Sequence, residues 1–201
     1  MERSSVEDAA ANALQSTRKP EGLGADVRAL RRTRGLTLAA LAAQVGKSVG
    51  WLSQVERGIS RPGIDDLRLL AAALDVPLSL FFGKAPATGP EAGRIVRAGS
   101  RRQLGGDAPG LSEELLSPDL TDDFEVLRSS FAPGARLGRT VERPTQEVGY
   151  VVAGRLELEI GGHKFTVGPG DSFRIRGEPF AWANPHDETA VVIWVIAPPV
   201  Y

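Results

Sequence analysis

The chain has no cysteine, one methionine and no apolar run approaching the roughly 20 residues that span a bilayer. Without thiols it has no disulfide, no thiolate metal site and no cysteine nucleophile. The N-terminus lacks the apolar core of a signal peptide. Together these absences predict a soluble protein of the cytoplasm. A surplus of either charge is also missing, because 24 Lys and Arg against 25 Asp and Glu leave a formal net charge of −1. Taken alone, that balance discourages a nucleic-acid partner. Hydrophobic content of 42% and charged content of 24% are ordinary for globular proteins and argue against wholesale disorder. A length of 201 residues suits two domains, each able to bury a core.

The charge that is present is unevenly spread. Residues 18–68 hold ten Lys and Arg against five Asp and Glu, a net of +5, so a basic half precedes an acidic one. That asymmetry fits a DNA-binding half. Inside it, residues 36–58 (LTLAALAAQVGKSVGWLSQVERG) read as helix, tight turn, helix. Leu38, Leu41, Ala42 and Val45 recur at the spacing of one buried helical face, and Gly46 suits a left-handed cap. Ser48 can cap the following helix. On that second helix Leu52 and Val55 define the buried direction, so Gly50, Ser53, Gln54 and Arg57 point outward, with Trp51 and Glu56 on the flanks.

A polar strip of this kind suits the major groove, where Gln bonds adenine bidentately, Ser bonds several bases and Arg holds guanine or phosphate. A solvated helix face has the same pattern, and the surrounding sequence decides between them. Residues 24–82 resemble the repressor-type (Cro/CI-like, XRE) helix-turn-helix domain nearly from end to end. The resemblance is carried by RGLTLAALA, by G-x-S before the second helix, by WLSQVERG, by the turn at Arg61-Pro62 and by LAAALDVP. It implies five helices with the recognition helix third, and base readers at Val49, Gly50, Ser53 and Gln54. Long polar residues often open this helix in the family, whereas here Val49 and Gly50 do, with Val49 available to a thymine methyl. Together with the flanking Gln44, Lys47, Ser48, Trp51, Arg57 and Arg61, these residues form the expected set facing double-stranded DNA.

The rest of the first half supports this unit. Residues 1–22 are polar and alanine-rich and are expected to form a flexible arm, in which Arg18 and Lys19 are either an untethered tail or a contact to phosphate or a minor groove. A first helix from about Ala25 to Thr33 buries Val27 and Leu30 and leaves Arg28, Arg31, Arg32 and Arg34 on its exposed side and end. Arg32 and Arg34 either contact phosphate or complement the helix dipole, and Glu56 is expected to pair with one of them. Ile64, Leu67, Leu70, Ala71 and Leu74 mark a fourth helix with Asp65 and Asp66 in its first turn. Residues 77–82 form a short last helix closing the core through Leu78, Leu80, Phe81 and Phe82.

Residues 83–93, rich in Gly, Pro and Ala, read as a linker. From Arg94 the hydrophobic period changes to two. LSEELLS, FEVLRSSFAP, EVGYVVAG, RLELEI, HKFTV, DSFRI, FAWAN and AVVIWVIAP are strand-like, and Gly161-Gly162 marks a hairpin turn. Short strands at such spacing imply an antiparallel sandwich or barrel. GYVVAGRLELEIGGHKFTVGPGDSFRI resembles the central hairpins of the cupins, the resemblance covering about residues 123–198, and a repressor-type head with a cupin body is an architecture of bacterial regulators. The expected fold is therefore α + β in two domains. Residues 23–82 form a five-helix bundle, and residues 94–201 an antiparallel jelly-roll barrel that serves sensing and dimerisation.

The cupin metal pattern G-x5-H-x-H-x4-E-x6-G falls on Gly134, Thr140, Glu142, Glu147 and Gly154, and the second motif places its histidine at Phe180. Only Glu147 remains of the four ligands. Non-haem iron needs two imidazoles and a carboxylate, and zinc generally wants several nitrogen or sulfur ligands. The two histidines, His163 beside the hairpin and His186 in the NPHDE loop, are expected at the surface. No metal and no cofactor are expected. Arg139, Thr140, Glu142, Glu147, Phe180 and Trp182 instead make a candidate effector pocket of polar anchors and apolar walls, in which a carboxylate holds a cationic group. The alternative is that Phe180 and Trp182 fill the core and Glu142 is solvated.

The functional expectation is a non-enzymatic, homodimeric regulator on a pseudo-palindromic operator, modulated by a small effector in the barrel. The competing reading is a metal-dependent enzyme of the epoxidase type with a helix-turn-helix head, and it lacks its histidines. An antitoxin-like module gives no reason for the barrel.

Overall fold

The computed structural model describes residues 22–82, 89–104 and 108–200. The expected arm lies outside the described residues except for Gly22, and so does most of the expected linker.

The first unit comprises α1 (Leu23–Thr33), α2 (Leu38–Gln44), α3 (Val49–Glu56) and α4 (Ile64–Leu74). Thr37 Oγ1 accepts the Ala40 N–H at 3.0 Å and Ser48 Oγ accepts the Trp51 N–H at 3.1 Å, so both helices of the turn are capped. Gly46 between them has φ +64°, a conformation that a side chain would strain. Val27, Leu30, Leu41, Leu52, Leu70 and Leu74 form the core, each at most 1% exposed, and each such burial contributes roughly 1.5–3 kcal/mol. Gly24 brings α1 against the end of α3, since a Cβ there would lie 2.3 Å from the Val55 carbonyl oxygen.

Two features of this unit correct the sequence expectation. Among the described residues it has four α-helices, and the expected fifth is a 3-10 turn, Leu78–Phe82, which buries Leu80 and Phe81 and leaves Phe82 exposed. Ile64, assigned to the buried face of α4, is also exposed.

The second unit contains nine strands among the described residues: β1 (Arg102–Gln103), β2 (Leu111–Leu115), β3 (Glu125–Phe131), β4 (Gln146–Ala153), β5 (Leu156–Ile160), β6 (His163–Val167), β7 (Ser172–Arg176), β8 (Phe180–Ala183) and β9 (Ala190–Ala197). All pair antiparallel in two sheets, ordered β1-β2-β3-β9-β4-β7 and β6-β5-β8. The segment between β3 and β4 touches β8 of the smaller sheet at two single bridges, Arg136 with Ala183 and Val141 with Phe180, and among the described residues no strand of one sheet pairs with a strand of the other, so the expected barrel is not closed. Gly161 and Gly162 take φ +56° and +80°, as a tight hairpin turn requires.

Inward residues of the two sheets interlock. Phe131 of the larger sheet meets Trp182 of the smaller edge-on at 4.7 Å between ring centroids, and within the larger sheet Phe173 meets Trp194 at 5.1 Å across Gly149. The Phe173 ring lies over its cross-strand partner Gly149, where a Cβ would come within 2.2 Å of it. Asn184, fully buried, donates from Nδ2 to the Phe131 and Glu188 carbonyls at 2.8 Å each and pins the loop after β8. The two units touch as well. Arg102 Nη2 is 2.8 Å from Asp26 Oδ1 of α1, and Nη1 donates to the Leu80 carbonyl at 3.3 Å.

Candidate DNA-binding face and inter-sheet cavity

The phase of α3 puts Leu52 and Val55 in the core and leaves Val49, Gly50, Gln54 and Arg57 exposed, with Ser53 half-buried. Open space surrounds Gly50: the nearest atom to a Cβ there would be Ser48 Oγ at 3.9 Å. Arg57 turns back, its Nε donating to the Ser53 carbonyl at 3.2 Å. Gln44, Ser48 and Arg61 are exposed around the helix, whereas Trp51 packs partly onto the core. Lys47 is held in place. Its Nζ lies 2.6 Å from Asp66 Oδ1 and 5.3 Å from the Trp51 ring centroid. The hydrogen bond from Lys47 holds the Asp66 carboxyl below its ordinary pKa, helped by the Gly63 N–H.

The basic end of α1 is more structural than its sequence suggests. Arg31 is buried and forms a fork with Glu56, Nε to Oε1 at 2.6 Å and Nη2 to Oε2 at 3.0 Å, while Nη1 donates to the Leu36 carbonyl at 2.7 Å. The partner of Glu56 is therefore Arg31, and neither Arg32 nor Arg34. Arg34 donates to the Leu74 and Asp75 carbonyls at 3.1 and 3.2 Å, completing the C-terminus of α4. Arg28 and Arg32 remain exposed.

In the second unit a cavity of about 530 Å³ lies between the sheets. Glu147, Phe180 and Trp182 line it, as three of the six expected effector residues. Arg139, Thr140 and Glu142 are exposed and outside its lining. The cavity adds groups the sequence reading did not select: Glu113, Glu125, Ser129, Arg143 and Trp194. The signal for Glu125 was present. It shares the inward period of β3 with Leu127, Ser129 and Phe131, so a carboxylate had to be buried.

Register explains how the carboxylates gather. Glu125 on β3 and Glu147 on β4 both pair with Ile196 of β9 and so flank it on one face, roughly 10 Å apart at two strand spacings. Glu113 on β2 accepts from Ser129 Oγ at 2.8 Å. Thr145 Oγ1 donates to Glu147 Oε1 at 2.7 Å. Glu125 is fully buried. Its Oε1 accepts the Val200 N–H at 2.9 Å, and Oε2 has no hydrogen-bond partner. Burial pushes the Glu125 carboxyl up to about 7, with the neighbouring Glu113 and Glu147 acting in the same direction and the Val200 N–H and Arg143 opposing. The far wall is the end of α4 and the turn after it, Ala71, Ala72, Asp75, Val76 and Pro77, so both units bound the cavity.

This donor set does not fit the metal of the cupin pattern. Thr140 and Glu142 are exposed, Phe180 is a buried hydrocarbon, and Glu147 alone keeps a ligating type. Among the described residues no group of three His, Cys, Asp or Glu is arranged to hold a metal ion. His163 is exposed, whereas His186 is half-buried with an unpartnered Nε2, correcting its expected place at the surface. No helix among the described residues is long and apolar enough to cross a membrane.

Comparison with known proteins agrees with this division. Residues 23–81 match the family model of a helix-turn-helix domain and residues 127–196 that of a cupin domain. The chain thus joins an N-terminal helix-turn-helix domain to a C-terminal cupin domain. No curated protein matches it. Among solved structures it is similar to an HTH_3 family transcriptional regulator from Vibrio cholerae, at 21% identity over 90% of this chain and 97% of that one, with a TM-score of 0.42. The cupin half is similar to the cupin domain of an XRE family transcriptional regulator from Enterobacter cloacae, at 28% identity over 45% and 98% of the chains and a TM-score of 0.40. It is similar also to KdgF from Halomonas sp., at 23% identity over 53% and 94%, with a TM-score of 0.47.

Proposed function

We propose that the protein is a sequence-specific, double-stranded-DNA-binding transcriptional regulator of the XRE type, acting as a cytoplasmic homodimer and not as an enzyme. The observation that carries this reading is the capped helix α3 presenting Gly50, Gln54 and Val49 to solvent on a packed support. Gln54 reads adenine, Ser53 bonds a base edge, Val49 meets a thymine methyl, and Gly50 lets the backbone approach. Gln44, Ser48, Arg57 and Arg61 position the helix on phosphate, while Lys47 does so only in competition with Asp66.

Two copies related by a two-fold axis set their recognition helices about 34 Å apart on successive half-sites of a pseudo-palindrome. The second copy docks on the outer face of the larger sheet, where Val148, Tyr150, Val152 and Val195 are exposed side by side. Such a face is self-complementary across a two-fold axis, as closed dimers require. A small effector in the cavity touches the end of α4 as well as the sheets, so its binding favours one disposition of the heads and shifts the population matching the operator.

The test is recovery and sequencing of genomic fragments bound by the purified protein at near-physiological salt. A two-fold-symmetric motif, lost with Gln54→Ala, supports the reading. Only salt-sensitive, sequence-independent binding counts against it.

A further inference from the structure

We infer that the cavity takes an organic amine, whose ammonium group is held by Glu125 and whose apolar stem lies against Trp194, Phe180 and Trp182. This rests on the regulator reading only in calling the ligand an effector; the binding chemistry stands on the cavity itself.

A carboxylate at the wall of a roomy cavity, fully buried and with one oxygen unpartnered, is a costly arrangement. A strand position facing Ile196 would be filled most stably by an apolar residue. The cost is offset when a donor occupies the cavity and bonds the free oxygen. Charge selects the donor. Three glutamates, Glu113, Glu125 and Glu147, line the space against the single Arg143, so the interior favours a cation over an anion. Chemistry selects the kind of cation. The other walls are aromatic and aliphatic, with Trp194, Phe180 and Trp182 joined by Leu111, Leu127 and Ile196, and they supply few oxygen ligands to a metal ion. Aromatic faces and a carboxylate together suit an ammonium on a hydrocarbon stem. With Glu147 on β4 two strand spacings from Glu125 on β3, roughly 10 Å between their backbones, a second ammonium finds its own carboxylate, so a diamine is favoured over a monoamine.

The test is calorimetric titration of the full chain at pH 7.5 with 1,4-diaminobutane, n-butylamine, n-butanol and butyrate, which share a four-carbon stem and differ in charge. The diamine is expected to bind tightest, the monoamine next, and the alcohol and acid not at all. Glu125→Gln keeps the acceptor for the Val200 N–H and is expected to weaken amine binding at least ten-fold, whereas Glu188→Gln, on the exposed surface, changes nothing. Circular dichroism verifies that each variant is folded. Equal amine binding by wild type and Glu125→Gln overturns the inference, and so does preferential binding of butyrate, displacement of the amine by Mn²⁺, or no binding of either amine. Selection of genomic DNA on the same preparation separates the two ideas. A symmetric motif without amine binding refutes only this inference, and amine binding without any motif refutes only the regulator.

Discussion

Asp26 on α1 and Arg102 on β1 meet at 2.8 Å across the junction of the two units, each side chain less than one-sixth exposed. Burial is the largest influence on Asp26 and raises its carboxyl above the ordinary value, although the Arg102 bond and charge pull it down. The pair therefore adds little net stability and acts by fixing how the head sits on the cupin domain. Arg102→Met strands the buried carboxylate and is expected to cost about 3 kcal/mol in urea denaturation. Asp26→Leu together with Arg102→Met should recover most of that loss. A double variant as unstable as the single one would show that the pair itself stabilises the fold.

Two glycines of the helical unit are expected to behave oppositely. Gly24→Ala forces a Cβ to 2.3 Å from the Val55 carbonyl oxygen, so α1 and α3 must separate, at about 1–3 kcal/mol. Gly50→Ala enters open space on α3 and should leave stability unchanged or raised by about 0.5 kcal/mol. Thermal unfolding of the two variants checks the pair. A destabilised Gly50→Ala would mean that this end of α3 is packed and not available to DNA.

Much of the head was legible because its buried period is strict. Leu52 and Val55 alone set the phase of α3, and Ser48 and Gly46 marked its start. The partner of Glu56 was missed although Arg31 stands four residues after Val27 and so shares its buried stripe. A charge on an apolar face was read as surface because its partner lies 25 residues away. The cavity was less legible. Matching the metal pattern drew attention to Thr140 and Glu142, which the chain places outside, while Glu113 enters through the pairing of β2 with β3 and Arg143 from the loop before β4, and no local pattern announces either. The open edge between the sheets depends likewise on long-range register.

Stability should depend on pH through Glu125. Its carboxyl is raised from the ordinary 4.5 to about 7 in the folded protein, so the folded state binds the proton more tightly than the unfolded chain. This contribution is fully present below pH 4.5 and is lost as pH rises to about 7, a fall of about 3 kcal/mol. Asp26 adds a slope of the same sign at lower pH, and Asp66, Glu91 and Glu178, whose carboxyls are lowered, add the opposite sign. The difference between wild type and Glu125→Gln, followed by urea denaturation from pH 5 to 8, isolates the glutamate. A flat difference would show that Glu125 is solvated or already paired.

The outer face of the larger sheet carries the last expectation. Val148 pairs with Val195 and Tyr150 with Ile193, so apolar side chains of β4 and β9 form adjacent rows, with Val126 of β3 extending the first. A strand buried on both faces reads as a continuous apolar run, and β9 has that composition while Val195 remains 42% exposed in the single chain. In the proposed dimer a second copy would supply that cover. Val148→Asp places a charge in the middle of the joined faces, and Tyr150→Arg does so one row further. Each is expected to raise the dimer dissociation constant about 100-fold, or about 3 kcal/mol, by sedimentation velocity. Because both half-sites must be held at once, the variants should also lose operator affinity while still binding a single half-site weakly. A wild-type monomer at micromolar concentration, or variants that remain dimeric, would move the two-fold axis away from this face.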